Sequence, residues 1–531
     1  MTVFGSVEAW MEDRQRPHGR GAQAILILIV LVLLGGIAVY ALPTRPQERV
    51  PPGLTVGLQP SPAPTRLGIN LFGLATYNRQ MVFSNLILQS EWFSSRGSGW
   101  TSFPPEQLDA QGWVLFLRPG ESAPKLLSLP PAPFRDATAR CSYEGRGVID
   151  AGGVAHMRDG VGQSFLLDLK PTGAEDEVAW IELRETDARN PVRNIDCRLV
   201  DTPAAERFSP EFLAFAKQFR TIRFLDWQRT NDNLQPLWTT RVTQRHATQS
   251  GPGGASIEDM VDLANLTGAD PWFLMPYQAD AEYVAAFARL VHDRLDSART
   301  VYVELGNEVW NMQFDAAQQA QREGVTLGLG DGDPTRAQML RYAQKVRETM
   351  HVWTDVFGDR RNRLVRVAAS QNAWPDLATL IMEDADTAQW VDALATAPYI
   401  WLELDGMGAK DVDRIFARVP KAMQETLSGA LAHRAIAARH GKRYLTYEGG
   451  QHFVTTDMPL ARALQRDRRM GGLYRDYLTQ WDMRVGGDLI LYASTAPIAS
   501  YGSWGLREYA GQPEEEAPKY AAVRRFLTRG R

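Results

Sequence analysis

DAEYVAAFARLVHDRL (residues 280–295) followed by TVYVELGNEVWN (300–311) is the stretch whose reading sets the architecture. Apolar residues in the first part recur every three or four positions, the period of a helix buried on one face. The second part opens on an unbroken β-favouring apolar run, as a strand covered on both faces does. A helix feeding such a strand is the repeating unit of a parallel α/β sheet.

The alternation continues in both directions. Upstream, SPEFLAFAKQF (209–219) precedes TIRFLDW (221–227), and IEDMVDLANLTG (257–268) precedes PWFLMPY (271–277). Downstream, RAQMLRYAQKVRETMHVWTDVFG (336–358) precedes LVRVAASQN (364–372), while VDALATAPYI (391–400), KRYLTYEGG (442–450) and DLILYASTAPIASYGSWG (488–505) each follow a helical stretch. With RLGINL (66–71) placed first there are eight strands, which predicts an α/β fold, a (β/α)8 TIM barrel. Residues 66–99 hold its first strand and connection, and 204–531 the remainder.

Residues 100–203 read differently: GWVLFLRPG, RGVIDAGG, QSFLLDLKP, EVAWIELRE and RNIDCRLVD are short apolar runs broken by Gly and Pro, which predicts an inserted β-sandwich. Cys141 and Cys197, the only cysteines, lie near its two ends; they staple its outer strands or remain two buried thiols.

Ahead of the barrel, AILILIVLVLLGGIAVYAL (24–42) is uncharged and long enough to cross a bilayer, and it follows Arg14, Arg16 and Arg20. It predicts an N-terminal transmembrane helix that anchors the chain, with 1–23 cytoplasmic; cleavage after Ala41 is the competing reading. The Pro-rich stretch 43–65 then reads as an extended tether. The expected location is the inner membrane, single-pass, with the folded part periplasmic.

Composition narrows the function classes. A 531-residue chain with 44% apolar and 23% charged residues is globular, and its formal net charge of −4 leaves no basic footprint for nucleic acid. Two cysteines exclude a four-cysteine zinc site or a cysteine-ligated cluster. There is no GxSxG elbow for a serine hydrolase. His433 and His440 lack a third metal ligand, and GLGDGDPT (328–335) lacks the endings of phosphate and calcium loops. No metal and no cofactor are expected.

TIM-barrel active sites lie where the strands end, so polar residues closing strand runs are the first candidates. Glu308 closes the fourth run and Glu448 the seventh. Those strands stand across the barrel, and a carboxyl pair converging on its mouth can break a glycosidic bond, one protonating the leaving oxygen while the other attacks the sugar carbon.

GNEVWN around Glu308 and YLTYEGG around Glu448 resemble the strand-four and strand-seven motifs of the retaining glycoside hydrolases of clan A. More widely, RFLDWQRTN, ATQSG, DLANLTGADPWFLMP and VYVELGNEVWN resemble bacterial exported proteins described as cellulose-binding-like or glycoside-hydrolase-like. The resemblance spans most of residues 66–510. It implies Glu308 as acid/base, Glu448 as nucleophile, Asn307 as partner of the sugar 2-hydroxyl, Arg223 as the cation beside the nucleophile, Tyr399 as its hydrogen-bond donor and Trp504 as the floor on which a sugar stacks. Tyr277 departs from the His that many clan members carry there; with Gln278 it is expected to reach a hydroxyl. Asp226, Trp227, Trp310, Asn372 and Gln451 are further substrate-binding candidates, with Trp374 and Trp401 as possible stacking residues, although aromatics at strand ends also serve as packing.

The expectation is a retaining glycoside hydrolase acting on a polysaccharide, β-linked as the clan implies. A non-hydrolytic carbohydrate-binding or exopolysaccharide-assembly protein, or a transglycosylase, on the same barrel is the alternative.

Overall fold

The computed structural model describes residues 63–529 except 98, 130–135, 173–176 and 204. The barrel, its helices and the inserted sheets lie in one compact unit, Pro62–Ser95 with Ser102–Arg531. The expected transmembrane segment, the cytoplasmic stretch and nearly all of the tether fall outside the described residues. Among those described, no helix is long and apolar enough to cross a membrane.

Eight strands form one sheet: β1 (Arg66–Asn70), β2 (Thr221–Arg223), β3 (Asp270–Met275), β4 (Val301–Leu305), β5 (Leu364–Ala369), β6 (Ala393–Thr396), β7 (Arg443–Thr446) and β8 (Asp488–Leu491). Its order is β7-β6-β5-β4-β3-β2-β1-β8, and every paired neighbour is parallel. Side chains close the seam between β7 and β8: the Ile490 N–H donates to Thr446 Oγ1 (2.8 Å), and Asn70 Nδ2 reaches the carbonyls of Tyr447 (2.9 Å) and Leu491 (3.3 Å). This is the eight-stranded parallel barrel expected from the alternation.

Strand periodicity splits the apolar residues into two cores. Leu225, Trp272, Leu274, Val365, Val367, Leu445 and Ile490 fill the barrel. Phe273, Met275, Val303, Leu305 and Leu489 face the other way, onto the helices. Gly68 belongs to the inner packing, since a Cβ there would stand 2.4 Å from Ile490 Cδ1. Several helices start on side-chain caps: Ser209, Ser256, Asp280 and Asp457 each accept a hydrogen bond from a backbone N–H of the first turn.

Between β1 and β2 lie, among the described residues, two antiparallel sheets of three or more strands. One orders strands 193–199, 137–144, 164–169 and 155–161; the other orders 123–126, 179–186 and 147–153. They share a separate apolar core that includes Phe165, Leu167, Ile181 and Ile195. Cys141, on the inner strand 137–144, and Cys197, on the edge strand beside it, stand opposite each other and form a disulfide, so they are not two free thiols, and the bridge joins neighbouring strands rather than two outer ones.

Candidate active site

The site is built on a buried arginine. Arg223, the last residue of β2, points into the barrel and is fully buried. Its Nη1 donates to Glu448 Oε1 (2.9 Å) and Asn70 Oδ1 (3.0 Å), its Nε and Nη2 grip Glu304 (2.9–3.1 Å), and Nη2 also donates to Asn307 Oδ1 (2.9 Å). Glu304 lies in the middle of β4 and takes a further bond from the Trp272 indole (2.9 Å). A buried cation between two carboxylates, with its remaining N–H groups used, meets the condition for keeping charge out of water.

Beyond β4 the chain turns sharply. Gly306 takes φ +64°, which leaves no room for a side chain because a Cβ would stand 2.6 Å from Val309 Cγ2. Glu308 itself adopts φ +45°, a left-handed conformation costly for a side-chain-bearing residue. Its carboxyl accepts from Asn311 Nδ2 (3.0 Å) and Tyr447 Oη (3.3 Å), and Tyr447 Oη in turn accepts from the Trp310 indole (3.2 Å).

The two glutamates have unlike surroundings. Loss of solvent and then the charge of Glu448 push Glu308 up to about 8. Burial also raises Glu448, but the Arg223 guanidinium and the Tyr399 hydroxyl, which donates to Glu448 Oε2 (2.8 Å), oppose it. Glu448 therefore ionises first, and Glu308 keeps its proton. Burial likewise raises Glu304 to about 6, against Arg223 and the Trp272 N–H.

Half-buried residues complete the wall. Asp226, raised to about 7 by burial and then by Glu448, accepts from Tyr492 Oη (3.0 Å). His452 packs edge-on against Tyr399 (5.2 Å between ring centres) and beside Trp504 (5.7 Å); burial lowers it to about 4, so the imidazole is neutral at ordinary pH. Lys519 Nζ fixes the Trp504 loop through the carbonyls of Ser503 (2.9 Å) and Trp504 (3.1 Å).

Glu308, Glu448, Asn307, Arg223, Tyr399, Asp226, Trp310 and Trp504 thus come together. Five other candidates do not. Tyr277 donates to Glu323 (3.0 Å) and Gln278 to Gln319 (3.2 Å), both on helix 315–326 outside the barrel. For Tyr277 the reason is parity: Phe273, Met275 and Tyr277 continue the outward-facing series of β3. Trp227 is fully buried among Phe83, Phe212 and Phe224. Asn372 ties Thr396 to the carbonyl of Thr426, and Gln451 holds the Ser503 carbonyl (2.6 Å). Trp374 and Trp401 are 49% and 58% exposed.

Sequence reading missed Glu304 and Asn70. Each left a signal: Glu304 is a charge inside the otherwise apolar run VYVEL, and Asn70 is the polar residue that ends β1. Among the described residues no group of His, Cys, Asp and Glu is arranged to hold a metal ion.

No family model matches the chain, and no curated protein does. Solved structures do show similarity, all at low identity. The chain is similar to the α-L-arabinofuranosidase from Thermotoga maritima (TM-score 0.34, 11% identity, covering 55% of this chain and 58% of that one). It is also similar to a 4-O-α-L-rhamnosyl-β-D-glucuronidase from Fusarium oxysporum 12S (0.37, 13%, 57% and 60%) and to a Cellulomonas fimi endo-β-1,4-mannanase (0.34, 12%, 57% and 63%). The chain thus spans about three-fifths of the length of each, and at these scores the chemistry rests on the geometry of this molecule alone.

Proposed function

We propose that the protein is a glycoside hydrolase that cleaves a polysaccharide with retention, through two glutamates. One observation carries the reading: two carboxyls at the ends of opposite strands have environments that divide them into a charged and a protonated member, with Arg223 bound to only one of them. Glu308 gives its proton to the glycosidic oxygen as that bond breaks, and the Glu448 carboxylate bonds to the anomeric carbon. Water then attacks that carbon, Glu308 takes the water's proton, and the Glu448 ester bond breaks, restoring both groups. Asn307, oriented by Arg223, is placed beside the acid to meet the sugar 2-hydroxyl, and Trp504 with His452 offers a stacking face.

The location belongs to the same proposal: residues 24–42 as a single-pass anchor, with the barrel on the periplasmic side. Intact mass of the mature protein distinguishes this anchor from a cleaved leader.

The test of the activity is mass spectrometry of sugars released from a panel of bacterial and plant polysaccharides, with Glu308→Gln and Glu448→Gln alongside. Release by the parent alone, with proton NMR showing a first-formed anomer that matches the substrate, supports the reading. Undiminished release by both variants sinks it, and tight retention of an intact glycan by the parent favours the binding or assembly alternative.

A further inference from the structure

Helices 468–484 and 518–527 pack against each other, with their first turns together beside the Trp504 loop. The first follows helix 458–466, which itself follows the β7 loop that carries Glu448. The second presents Lys519, in its first turn, to the Trp504 loop. Their backbones approach closely at Gly471, where a Cβ would stand 2.8 Å from the Pro518 carbonyl oxygen. Beside this contact opens a cleft of about 270 Å³, and Arg468, Arg475, Arg525 and Arg529 line it.

Most of that positive charge is uncompensated. Arg475 pairs with Asp476 (3.1 Å), and Glu514, on the cleft wall, is engaged by Arg524. Among the described residues Arg468, Arg525 and Arg529 have no carboxylate partner, and the only other acidic group on the wall is Glu515. In a chain of net charge −4, three unpaired guanidiniums held beside one cavity are a local excess that repels itself. Guanidinium is a planar, permanently charged fork that matches carboxylate or sulfate oxygens two at a time.

We propose that this cleft is a second glycan site that binds anionic sugar units, uronates or sulfate esters, of an acidic polysaccharide. One end of it, at Pro518, adjoins Lys519, which holds the Trp504 loop, so a polymer seated on Trp504 can continue into it; only this choice of a glycan as bearer of the anion rests on the hydrolase reading. An acidic chain lying over Trp504 would have its charged units held one helix away, which adds avidity without entering the chemistry.

The test is calorimetric titration of the full-length chain in phosphatidylcholine nanodiscs with hexagalacturonate, cellohexaose and phosphatidylglycerol vesicles. The parent and a variant carrying Arg468→Gln, Arg525→Gln and Arg529→Gln are compared, with circular dichroism to check the fold. The expected result is hexagalacturonate binding that weakens as salt rises, falls at least about tenfold in the variant, and has no counterpart with cellohexaose. Absence of hexagalacturonate binding in the parent, equal binding by both chains, or arginine dependence seen with vesicles alone overturns the proposal. Because the readout is binding, failure of every turnover assay would count against the hydrolase reading and leave this result standing. Arginine-dependent hexagalacturonate binding in a chain without turnover would keep the site and remove the enzyme.

Discussion

In the barrel, Arg223 lies between Glu304 and Glu448 and bonds to both; in the inserted sheets, Lys125 is equally buried but has the Ser90 carbonyl and the Trp92 ring (5.0 Å) as its close partners. The first arrangement holds several charges against one another beside a group that must stay protonated. The second gives one amine no such network, and burial lowers it to about 7 although the charge of Glu91 opposes the shift. The disulfide marks the same contrast, since the sheets are tied covalently where the barrel is tied by ions.

Four experiments would break or sharpen that contrast. The largest effect is expected at the carboxylates: Glu448→Gln and Glu308→Gln should each lower kcat by roughly 10²–10⁴-fold or more in product-release assays, with the fold unchanged by circular dichroism. No substitution confined to the sheets should approach this.

Next, Arg223→Met strands two buried carboxylates. Urea unfolding should show a loss of about 3–5 kcal/mol, and retained stability would mean that the ionic network is not needed for the barrel.

A smaller effect is expected from Cys141→Ser with Cys197→Ser. The bridge closes a sequence separation of 56, so its removal should cost about 2–4 kcal/mol in the denaturant midpoint while activity under native conditions is kept. Lost activity in the folded variant would tie the sheets to the site.

The smallest effects are slopes against pH. Glu308 binds its proton up to about 8 in the folded chain and up to about 4.5 when unfolded, so its contribution to stability is lost as pH rises through that window. Lys125 has the opposite sign: the unfolded chain holds the proton to about 10.5 and the folded chain to about 7, so stability rises over that range. Glu308→Gln should flatten the first slope and Lys125→Met the second, each by on the order of 1–3 kcal/mol in melts from pH 4 to 10. A single slope shared by both variants would show that the regions do not titrate separately.

Much of this molecule was readable before any coordinates. The alternation from RLGINL to DLIL marked eight strands, and strand-end position singled out Glu308 and Glu448; of the broken runs after Trp100, RGVIDAGG, QSFLLDLKP, EVAWIELRE and RNIDCRLVD marked strands of the antiparallel sheets, whereas GWVLFLRPG forms none. The limit came where a residue's direction mattered more than its place. Tyr277 and Gln278 also follow a strand, but their side chains bond to helix 315–326. Trp227 follows β2 just past the point where the chain turns, and strand parity no longer governs it.

By itself the sequence determined which segments become strands and helices and which carboxyls stand at strand ends, because hydrophobic period and chain order are local properties. Only the tertiary structure decided that Arg223, from β2, would join Glu304 of β4, Asn70 of β1 and Glu448 after β7, at separations of 81, 153 and 225 residues. Closure of the barrel brings those strands together, and burial then sets which carboxyl holds the proton. Both depend on neighbours that the linear order does not name.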